Sequence, residues 1–224
     1  MTSDGFWIPL LQVIAIDIVL GGDNAVVIAL AARSLPKEQQ KPAVLWGTGA
    51  AVVMRIILAL FAIKLLLLPW LKVLGGLLLF WIGAKLLAGT EHKKDVSEAT
   101  SLMSAIKIIL LADLALSLDN VVALAATARG SLLLLVLGLV ISIPIIIYGG
   151  VFAIRLMERY PIIITLGGAL LGWVGGEMII GDVALKGLVG TELRTLGIGA
   201  GIAGIVAVLL GGSLLRRIKS SKSS

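Results

Sequence analysis

Long apolar stretches separated by short polar connections run along almost the whole chain. Seven of them reach the roughly 20 residues that a helix needs to cross the hydrocarbon core of a bilayer. Only the connection at 91–100 and the tail at 216–224 are polar enough to be soluble, and both are too short to be domains. The pattern predicts an all-α, polytopic membrane protein, residues 1–224, with one transmembrane domain. Its seven transmembrane helices are predicted at about 6–31, 43–66, 70–89, 103–128, 131–154, 161–181 and 195–215.

The composition excludes most other classes of protein. Of the 224 residues, 59% are hydrophobic and 14% are charged, whereas a soluble domain has roughly 25% charged residues. Cysteine is absent, which excludes disulfide frameworks and thiolate metal sites. The net charge of +6 does not indicate nucleic-acid binding, because excess Lys and Arg in a membrane protein usually reflect topology.

Basic residues in the connections predict the orientation of the chain. With the N-terminus outside, the inside segments hold eleven Lys and Arg residues and the outside segments three, or five if Lys64 and Lys72 are included. Positively charged connections remain in the cytoplasm. The sequence therefore predicts an outside N-terminus and a cytoplasmic C-terminus.

The chain contains an internal repeat. Residues 17–33 recur 96 positions later with eight of 17 residues identical, residues 61–64 return at an offset of 91, and parts of 74–83 return at an offset of 92. Two copies of a three-helix unit are therefore predicted, at about 6–89 and 103–181, followed by one extra helix. Because each copy has an odd number of spans, the copies should be inverted in the membrane, as in secondary transporters with a substrate site near the midplane.

Each copy carries an Asp-x5-Asp-Asn element inside its first helix. Acidic residues at membrane depth are costly unless paired or solvated, so they indicate a functional site or proton pathway. Under the inversion, the four carboxylates are expected to meet around one central point. With two amides they form an all-oxygen ligand set that suits Mn²⁺, Mg²⁺ or Ca²⁺ better than Zn²⁺ or Cu²⁺. The elements are Asp17, Asp23 and Asn24 in the first copy and Asp113, Asp119 and Asn120 in the second.

Other charged residues lead to separate predictions. Arg55 lies near the centre of the second helix, too deep to reach the interface easily. It is expected either to balance the carboxylates in the empty state or to form a structural ion pair. Glu177 lies in the outer part of the sixth helix, as an access-path carboxylate or as the partner of a basic residue. Solvated loop positions are expected for His92, Asp182, Lys186 and Glu192.

The segments Leu-Gly-Gly-Asp-Asn at 20–24 and Leu-Ser-Leu-Asp-Asn at 116–120 resemble those of the TerC (tellurium-resistance protein C) family of integral membrane proteins. From about residue 7 to 215, the chain is similar to the seven-helix bacterial branch often encoded behind manganese riboswitches, a relative of the lysine-exporter superfamily. The resemblance implies a place in the bacterial cell (inner) membrane. It also implies export of Mn²⁺, or supply of metal to exported enzymes, with the metal held by the six Asp and Asn residues above.

The glycines before Asp23 predict a break or bend in the first helix, where unwound carbonyls would add cation ligands. The second copy departs from this pattern, because Ser117-Leu118 replaces Gly21-Gly22. An unwound turn is therefore not expected there.

The leading hypothesis is a divalent cation exporter that moves Mn²⁺ through a midplane carboxylate site by alternating access, coupled to protons. No prosthetic group is expected, and Mn²⁺ is the substrate. An amino-acid exporter, a Ca²⁺ exporter and a membrane metalation factor that contacts the secretion machinery remain alternatives, and a homo-oligomer is left open. An aspartyl protease is disfavoured, because the usual Gly-x-Gly-Asp element is missing and two Asp pairs exceed a catalytic dyad. No enzymatic activity is expected.

Overall fold

The computed structural model describes residues 4–66, 68–88, 101–128, 131–185 and 193–221. Within these ranges, side chains are described at every position except 4, 5, 62–66, 119, 193–195 and 219–221. The loop predictions for His92, Lys186 and Glu192 lie outside the described residues.

The longer elements of the described chain are all α-helices, which confirms the predicted all-α class. Apolar residues dominate each helix, so most helices present apolar side chains on all faces, as expected in a lipid environment. The helices are α1 (Asp4–Leu20), α2 (Gly22–Ala32), α3 (Lys37–Leu66), α4 (Leu71–Ala88), α5 (Leu102–Thr127), α6 (Leu132–Arg159), α7 (Ile162–Ile180) and α8 (Leu193–Ser221).

Five helices of the described chain, α3, α4, α6, α7 and α8, are long and apolar enough to cross a membrane. The helices α1 and α2 meet at a bend of 49°, so the bend predicted before Asp23 is present. The axis of α5 turns by 63° between Leu102–Leu118 and Asn120–Thr127. If each bent pair is one span, the described residues contain up to seven spans.

The second copy has no unwound turn, as expected, but α5 has a bend at the equivalent position that the sequence did not predict. It occurs without glycine, and α5 remains one element from Leu102 to Thr127. The position lies directly after Ser117, whose hydroxyl is bonded inside the bundle rather than to its own helix backbone.

The helices of the bundle form two sets, and the helices within each set pack closely against one another. In the first set, α6 packs along α1 and α2, and α3 packs along α5. Glycine permits the close approaches: a Cβ on Gly138 would lie 2.3 Å from Val13, and a Cβ on Gly47 would lie 2.7 Å from Ile109. Larger residues at either glycine would force the paired helices apart.

The second set consists of α4, α7 and α8, with backbones in direct contact. A Cβ on Gly76 of α4 would lie 2.4 Å from the carbonyl oxygen of Gly175 in α7. A Cβ on Gly172 of α7 would lie 2.5 Å from the carbonyl oxygen of Gly204 in α8. Such small-residue contacts are the usual basis of tight helix packing in lipid, where van der Waals contact replaces the hydrophobic effect.

The N-terminus of α4 is capped by a carboxylate from a distant part of the chain. Asp182, which follows α7, is fully buried. It accepts hydrogen bonds from the backbone N–H groups of Trp70, Lys72 and Val73 at 2.9, 2.9 and 3.3 Å, and from Ala184 at 2.8 Å. Burial raises the pKa of Asp182, but these four N–H groups outweigh that effect and hold the pKa below its ordinary value.

The expectation that Asp182 lies in a solvated loop is therefore wrong. The carboxylate replaces water as the acceptor for donors at the start of α4, where a helix leaves N–H groups without partners. Trp70, directly before α4, has a φ of 68°, a left-handed conformation that is uncommon for residues other than glycine. The bond from its N–H to Asp182 helps to hold this strained turn.

The C-terminus of α4 receives two arginines. Arg33, directly after α2, donates to the carbonyl oxygen of Leu86 at 3.2 Å, and Arg216 of α8 donates to that of Leu87 at 2.9 Å. Together with Asp182, these groups place negative charge at the N-terminal end of α4 and positive charge at its C-terminal end. Both complement the helix dipole.

Candidate ion site

Charged and hydroxyl side chains form a group in the middle of the bundle, which we call the central cluster. Its members come from α1, α3, α5 and α6, and each residue is at most 4% exposed. Polar groups at such positions must satisfy one another, because apolar side chains surround them. The members are Asp17, Arg55, Asp113, Ser117 and Ser142.

Arg55 connects the two sequence copies within this cluster. Its Nη1 donates to Asp17 Oδ1 at 2.7 Å. Its Nε donates to Asp113 Oδ2 at 3.2 Å and to Ser117 Oγ at 3.0 Å, and its Nη2 forms an ion pair with Asp113 Oδ1. The guanidinium binds Asp113 through two nitrogens, the fork geometry in which arginine holds carboxylates most strongly. Two equivalent acids of the repeat therefore share one cation.

The central cluster contains one more acid than base. The hydroxyl of Ser117 donates to Asp113 Oδ2 at 3.2 Å, and the hydroxyl of Ser142 is hydrogen-bonded to Asp17, but neither hydroxyl contributes charge. When both acids are ionised, two negative charges face the single positive charge of Arg55. An unbalanced charge is costly at this depth, so the cluster has the electrostatic capacity for one further proton or cation.

The break between α1 and α2 lies beside the central cluster. The N–H of Gly21 donates to the carbonyl oxygen of Asp17 at 2.8 Å, and a Cβ on Gly21 would lie 2.5 Å from the same oxygen. Glycine is therefore required at this position. At Gly22, nothing lies within 4 Å of an added Cβ, so the two neighbouring glycines have different roles.

The break redirects backbone hydrogen bonds toward the second copy. In a continuous helix, the carbonyl of Leu20 would accept from the N–H of Asn24. Here, that N–H donates to Asp23 Oδ1 at 2.8 Å, while the carbonyl of Leu20 accepts from Asn120 Nδ2 at 3.3 Å. The amide of the second copy thus binds the backbone at the break in the first copy.

Asn24, the equivalent of Asn120, is in a different situation. It is 2% exposed, and neither its Oδ1 nor its Nδ2 has a hydrogen-bond partner in the described part of the chain. A narrow void beside it is also lined by Asp113 and by the apolar side chains of Val27, Ile28 and Ile109. An unpaired buried amide costs about 1–3 kcal/mol per polar atom, so the two polar atoms of Asn24 lack the compensation that burial normally requires.

The remaining predicted site residues are more dispersed. Asp23 is half-buried at the first turn of α2, and the side chain of Asp119 lies outside the described residues. Glu177 is exposed on the last turn of α7. Among the described side chains, no three His, Cys, Asp or Glu residues form a group that could hold a metal ion. The described structure thus brings together Asp17 and Asp113 through Arg55, and Asn24 next to Asp113.

Two hydroxyl residues of the central cluster were missed by reasoning from the sequence. Ser117 and Ser142 are fully buried, and both bind carboxylates of the repeat. Ser117 is four residues after Asp113, so the two share a helix face. This spacing was a usable signal. Ser142 stands alone in an apolar run, and its partner is 125 positions away, so no local pattern indicates it.

Comparison with known families identifies the chain. A model described as "Integral membrane protein TerC family" matches residues 2–222, which is nearly the whole sequence. The chain belongs to the TerC family. The family assignment expected from the two Asp-Asn segments is thereby confirmed.

Several bacterial proteins are similar to this TerC-family chain. "Uncharacterized membrane protein YjbE" of Bacillus subtilis (strain 168) is 45% identical over 181 residues, 81% of this chain and 83% of the relative. "Uncharacterized membrane protein YkoY" of the same organism is 28% identical, over 80% of this chain and 61% of the relative. "UPF0053 inner membrane protein YgdQ" of Escherichia coli (strain K12) is 26% identical, over 80% and 83%. No solved structure matches the chain. The chain is an integral multi-pass membrane protein.

Proposed function

We propose that this protein exports divalent metal cations, with Mn²⁺ as its substrate, and that it has no enzymatic activity. The ligands would come from Asp17, Asp23 and Asn24 of one copy and from Asp113, Asp119 and Asn120 of the other. The observation that carries the proposal is the amide of Asn24, which is buried without a partner next to Asp113. Amide and carboxylate oxygens are the ligands that Mn²⁺, Mg²⁺ and Ca²⁺ prefer.

Arg55 gives this site an internal counter-ion. Three nitrogens of its guanidinium are bonded to the carboxylates of Asp17 and Asp113. A metal ion that binds these carboxylates must therefore compete with Arg55. We propose that the arriving cation displaces Arg55 from at least one acid, and that Arg55 returns when the ion leaves. A proton on the surplus carboxylate would then keep the empty cluster neutral, which couples export to proton exchange.

The same arrangement disfavours an amino-acid substrate. An amino acid needs a cationic group of the protein for its carboxylate as well as acids for its amine. Arg55 is the deep arginine of the described bundle, and its nitrogens are already bound to two acids and to Ser117. A metal ion requires only the oxygen ligands.

Packing between equivalent helices supports an inverted repeat of three plus three helices, with α8 as the extra helix. Along α4, Gly76 lies near Gly175, Gly83 near Leu171, and Leu87 near Gly168 of α7. Positions therefore rise on α4 while they fall on α7. The helices α4 and α7 are the third helices of the two copies, and an antiparallel contact between them is what inversion requires.

A second pair of contacts is also related by the repeat. Gly47 on α3 lies against Ile109 on α5, and Gly138 on α6 lies against Val13 on α1. Position 47 corresponds to 138 at the offset of 91, and position 13 corresponds to 109 at the offset of 96. Each copy thus packs its second helix on the first helix of the other copy. We propose that the protein lies in the bacterial inner membrane, which is consistent with the name of the relative YgdQ. We also propose that its N-terminus is outside and its C-terminus is in the cytoplasm.

Flux measurements on purified protein in proteoliposomes test this proposal. With Mn²⁺ on one side and a fluorescent indicator on the other, the wild type should move Mn²⁺ down its gradient, and a pH gradient should change the rate. Asp23→Asn and Asp119→Asn should each abolish the flux, because an amide has the same shape but no charge. Glu38→Gln is the matched control, since Glu38 is an exposed acid at the start of α3.

Wild-type flux in both Asp variants would contradict the proposal, and so would a loss of equal size in Glu38→Gln. A titration of the purified protein with Mn²⁺, Ca²⁺, Mg²⁺ and Zn²⁺ tests which ion the site prefers, independently of whether the protein transports it. Tighter binding of Zn²⁺ than of Mn²⁺ would contradict an all-oxygen site. If Mn²⁺ binds but no flux occurs, the metalation hypothesis is favoured over export.

A further inference from the structure

A groove of about 770 Å³ runs along the outer surface of the bundle between α3 and α6. Three aromatic side chains line its walls and face outward: Trp46 of α3 is 66% exposed, while Tyr148 and Phe152 of α6 are 77% and 64% exposed. The residues of the central cluster are not among those that line it. The groove is therefore a separate feature of the lipid-facing surface.

Two cations lie at the polar end of this groove. Lys41 is in the second turn of α3, and Arg155 is near the end of α6. Both side chains are exposed, and neither takes part in an ion pair within the described part of the chain. A smaller cavity of about 220 Å³ continues from them and is also lined by Lys37 and Glu158. The polar end as a whole therefore carries excess positive charge.

We propose that this groove binds an anionic phospholipid, with the phosphate between Lys41 and Arg155. The acyl chains would lie along the aromatic walls formed by Trp46, Tyr148 and Phe152. Cations at the end of a transmembrane helix attract anionic headgroups, and Trp and Tyr prefer the region just below them. A zwitterionic lipid would place a second positive charge near the two cations. The groove therefore favours a headgroup with net negative charge.

The position of the groove gives this lipid a mechanical role. One wall belongs to α3, which carries Arg55, and the other belongs to α6, which carries Ser142 of the central cluster. A lipid bound to both walls would hold the cytoplasmic-side ends of these two helices together. The lipid site is a property of the surface and is tested by binding alone, so it stands independently of the transported ion.

Fluorescence quenching locates the lipid. The full-length protein is purified in detergent and titrated with phosphatidylglycerol or phosphatidylcholine whose acyl chains carry bromine, which quenches nearby tryptophans. We expect stronger quenching by the anionic lipid at low concentrations. Most of that quenching should disappear in Trp46→Phe, because Trp46 lies in the groove wall. Quenching that is unchanged in Trp46→Phe would overturn the proposed location.

Charge variants test the headgroup contact. Each basic residue near an anionic surface contributes roughly a fivefold increase in affinity, so Lys41→Gln with Arg155→Gln should weaken the preference for phosphatidylglycerol roughly 25-fold. The matched control is Lys107→Gln with Arg217→Gln, which removes the same charges at exposed positions away from the groove. The control should keep the preference within twofold.

Equal losses in the two double variants would overturn the proposal, because attraction would then depend on total charge rather than on this groove. Sedimentation of the detergent-solubilised protein tests a second copy of the chain as the occupant. A groove variant that changes the oligomeric state, while lipid preference stays at the wild-type level, would also overturn the proposal. An unchanged oligomeric state together with lost lipid preference would support it.

Discussion

Asp182 and the central cluster both bury carboxylates, but their partners differ in kind. Asp182 accepts four backbone N–H groups that belong to the start of α4 and to the turn after α7. In the central cluster, Asp17 and Asp113 share the guanidinium of Arg55, which is held on a long side chain. Backbone donors cannot leave without unfolding the helix end, whereas a side chain can rotate away.

This difference separates a structural acid from a candidate transport acid. A carboxylate with backbone partners holds a fixed geometry, and burial alone does not indicate a function for it. A carboxylate with a side-chain cation can exchange that cation for a metal ion or a proton. The informative property of a buried acid in this protein is therefore the kind of partner it has.

The largest effect is expected when the shared cation is removed. Arg55→Met leaves Asp17 and Asp113 buried without a positive partner, and loss of one member of a buried ion pair costs about 3–5 kcal/mol. The unfolding free energy in detergent should fall by that amount, and Mn²⁺ flux should be lost. Adding Asp113→Asn to Arg55→Met should recover part of the stability, because it removes one of the two unpaired acids and returns the excess of acid over base to one, as in the wild type. Unchanged stability in Arg55→Met would show that the ion pairs contribute little.

The second largest loss of stability is expected when Asp182, the acid with backbone partners, is replaced. Asp182→Ala removes the acceptor of four backbone N–H groups, and loss of a helix N-cap costs about 0.5–2 kcal/mol. We expect a loss at the upper end of that range, measured by unfolding in detergent. Mn²⁺ flux per folded molecule should stay at the wild-type level. A flux defect at unchanged stability would place Asp182 with the transport acids and remove the distinction.

An effect of similar size is expected at the two neighbouring glycines of the break. Gly21→Ala forces a methyl group to within 2.5 Å of the carbonyl oxygen of Asp17, and such overpacking costs about 1–3 kcal/mol. Because Asp17 belongs to the central cluster, flux should fall as well. Gly22→Ala is the control, since nothing lies within 4 Å of its added Cβ. Equal effects at both positions would show that only backbone flexibility matters.

The smallest effect is a pH dependence at Asp182. Its pKa is lower in the folded protein than in the unfolded chain, because four N–H groups favour the charged form although burial opposes it. Its stabilising contribution is therefore present above the unfolded pKa and is lost as the pH falls through the folded pKa. Asp182→Asn keeps an acceptor but loses the charge, which is worth about 0.3–1 kcal/mol at a helix N-terminus.

The difference in unfolding free energy between the wild type and Asp182→Asn should thus shrink as the pH falls below about 4, the ordinary pKa of an aspartate. Parallel unfolding curves across that range provide the measurement. A difference that is independent of pH would mean that the carboxylate acts through its shape alone.

The predictable part of the structure is the part that depends on local pattern. Apolar length predicts the helices, and Gly21-Gly22 predicts the bend before Asp23, because both are properties of a few consecutive residues. The depth of Arg55 is also a local property, since it lies in the middle of an apolar run. These features follow from the cost of exposing polar groups to lipid.

The partners of the buried acids depend on tertiary structure and could not be predicted in the same way. Asp182 follows an apolar helix and has the appearance of a loop residue, and its acceptor role depends on N–H groups 109 to 112 positions away. The contact of Ser142 with Asp17 likewise spans 125 positions. The sequence also gives Asn24 and Asn120 equivalent roles, whereas only Asn120 has a partner among the described residues. Asn120 binds the carbonyl of Leu20 beside the break at Gly21, and this contact between the copies has no local signal in the sequence.

The shared use of Arg55 has a consequence for how the chain is made. Ribosomes deliver Asp17 first, Arg55 next and Asp113 last, so the arginine enters the membrane when only one of its two acids has been synthesised. Pairing with Asp17 neutralises it at that stage, and a lone arginine at the bilayer centre would be costly. Asp113 then arrives with a cation already in place. The order of the three charges along the chain therefore lets Arg55 and Asp113 each meet an opposite charge when they are inserted during translation.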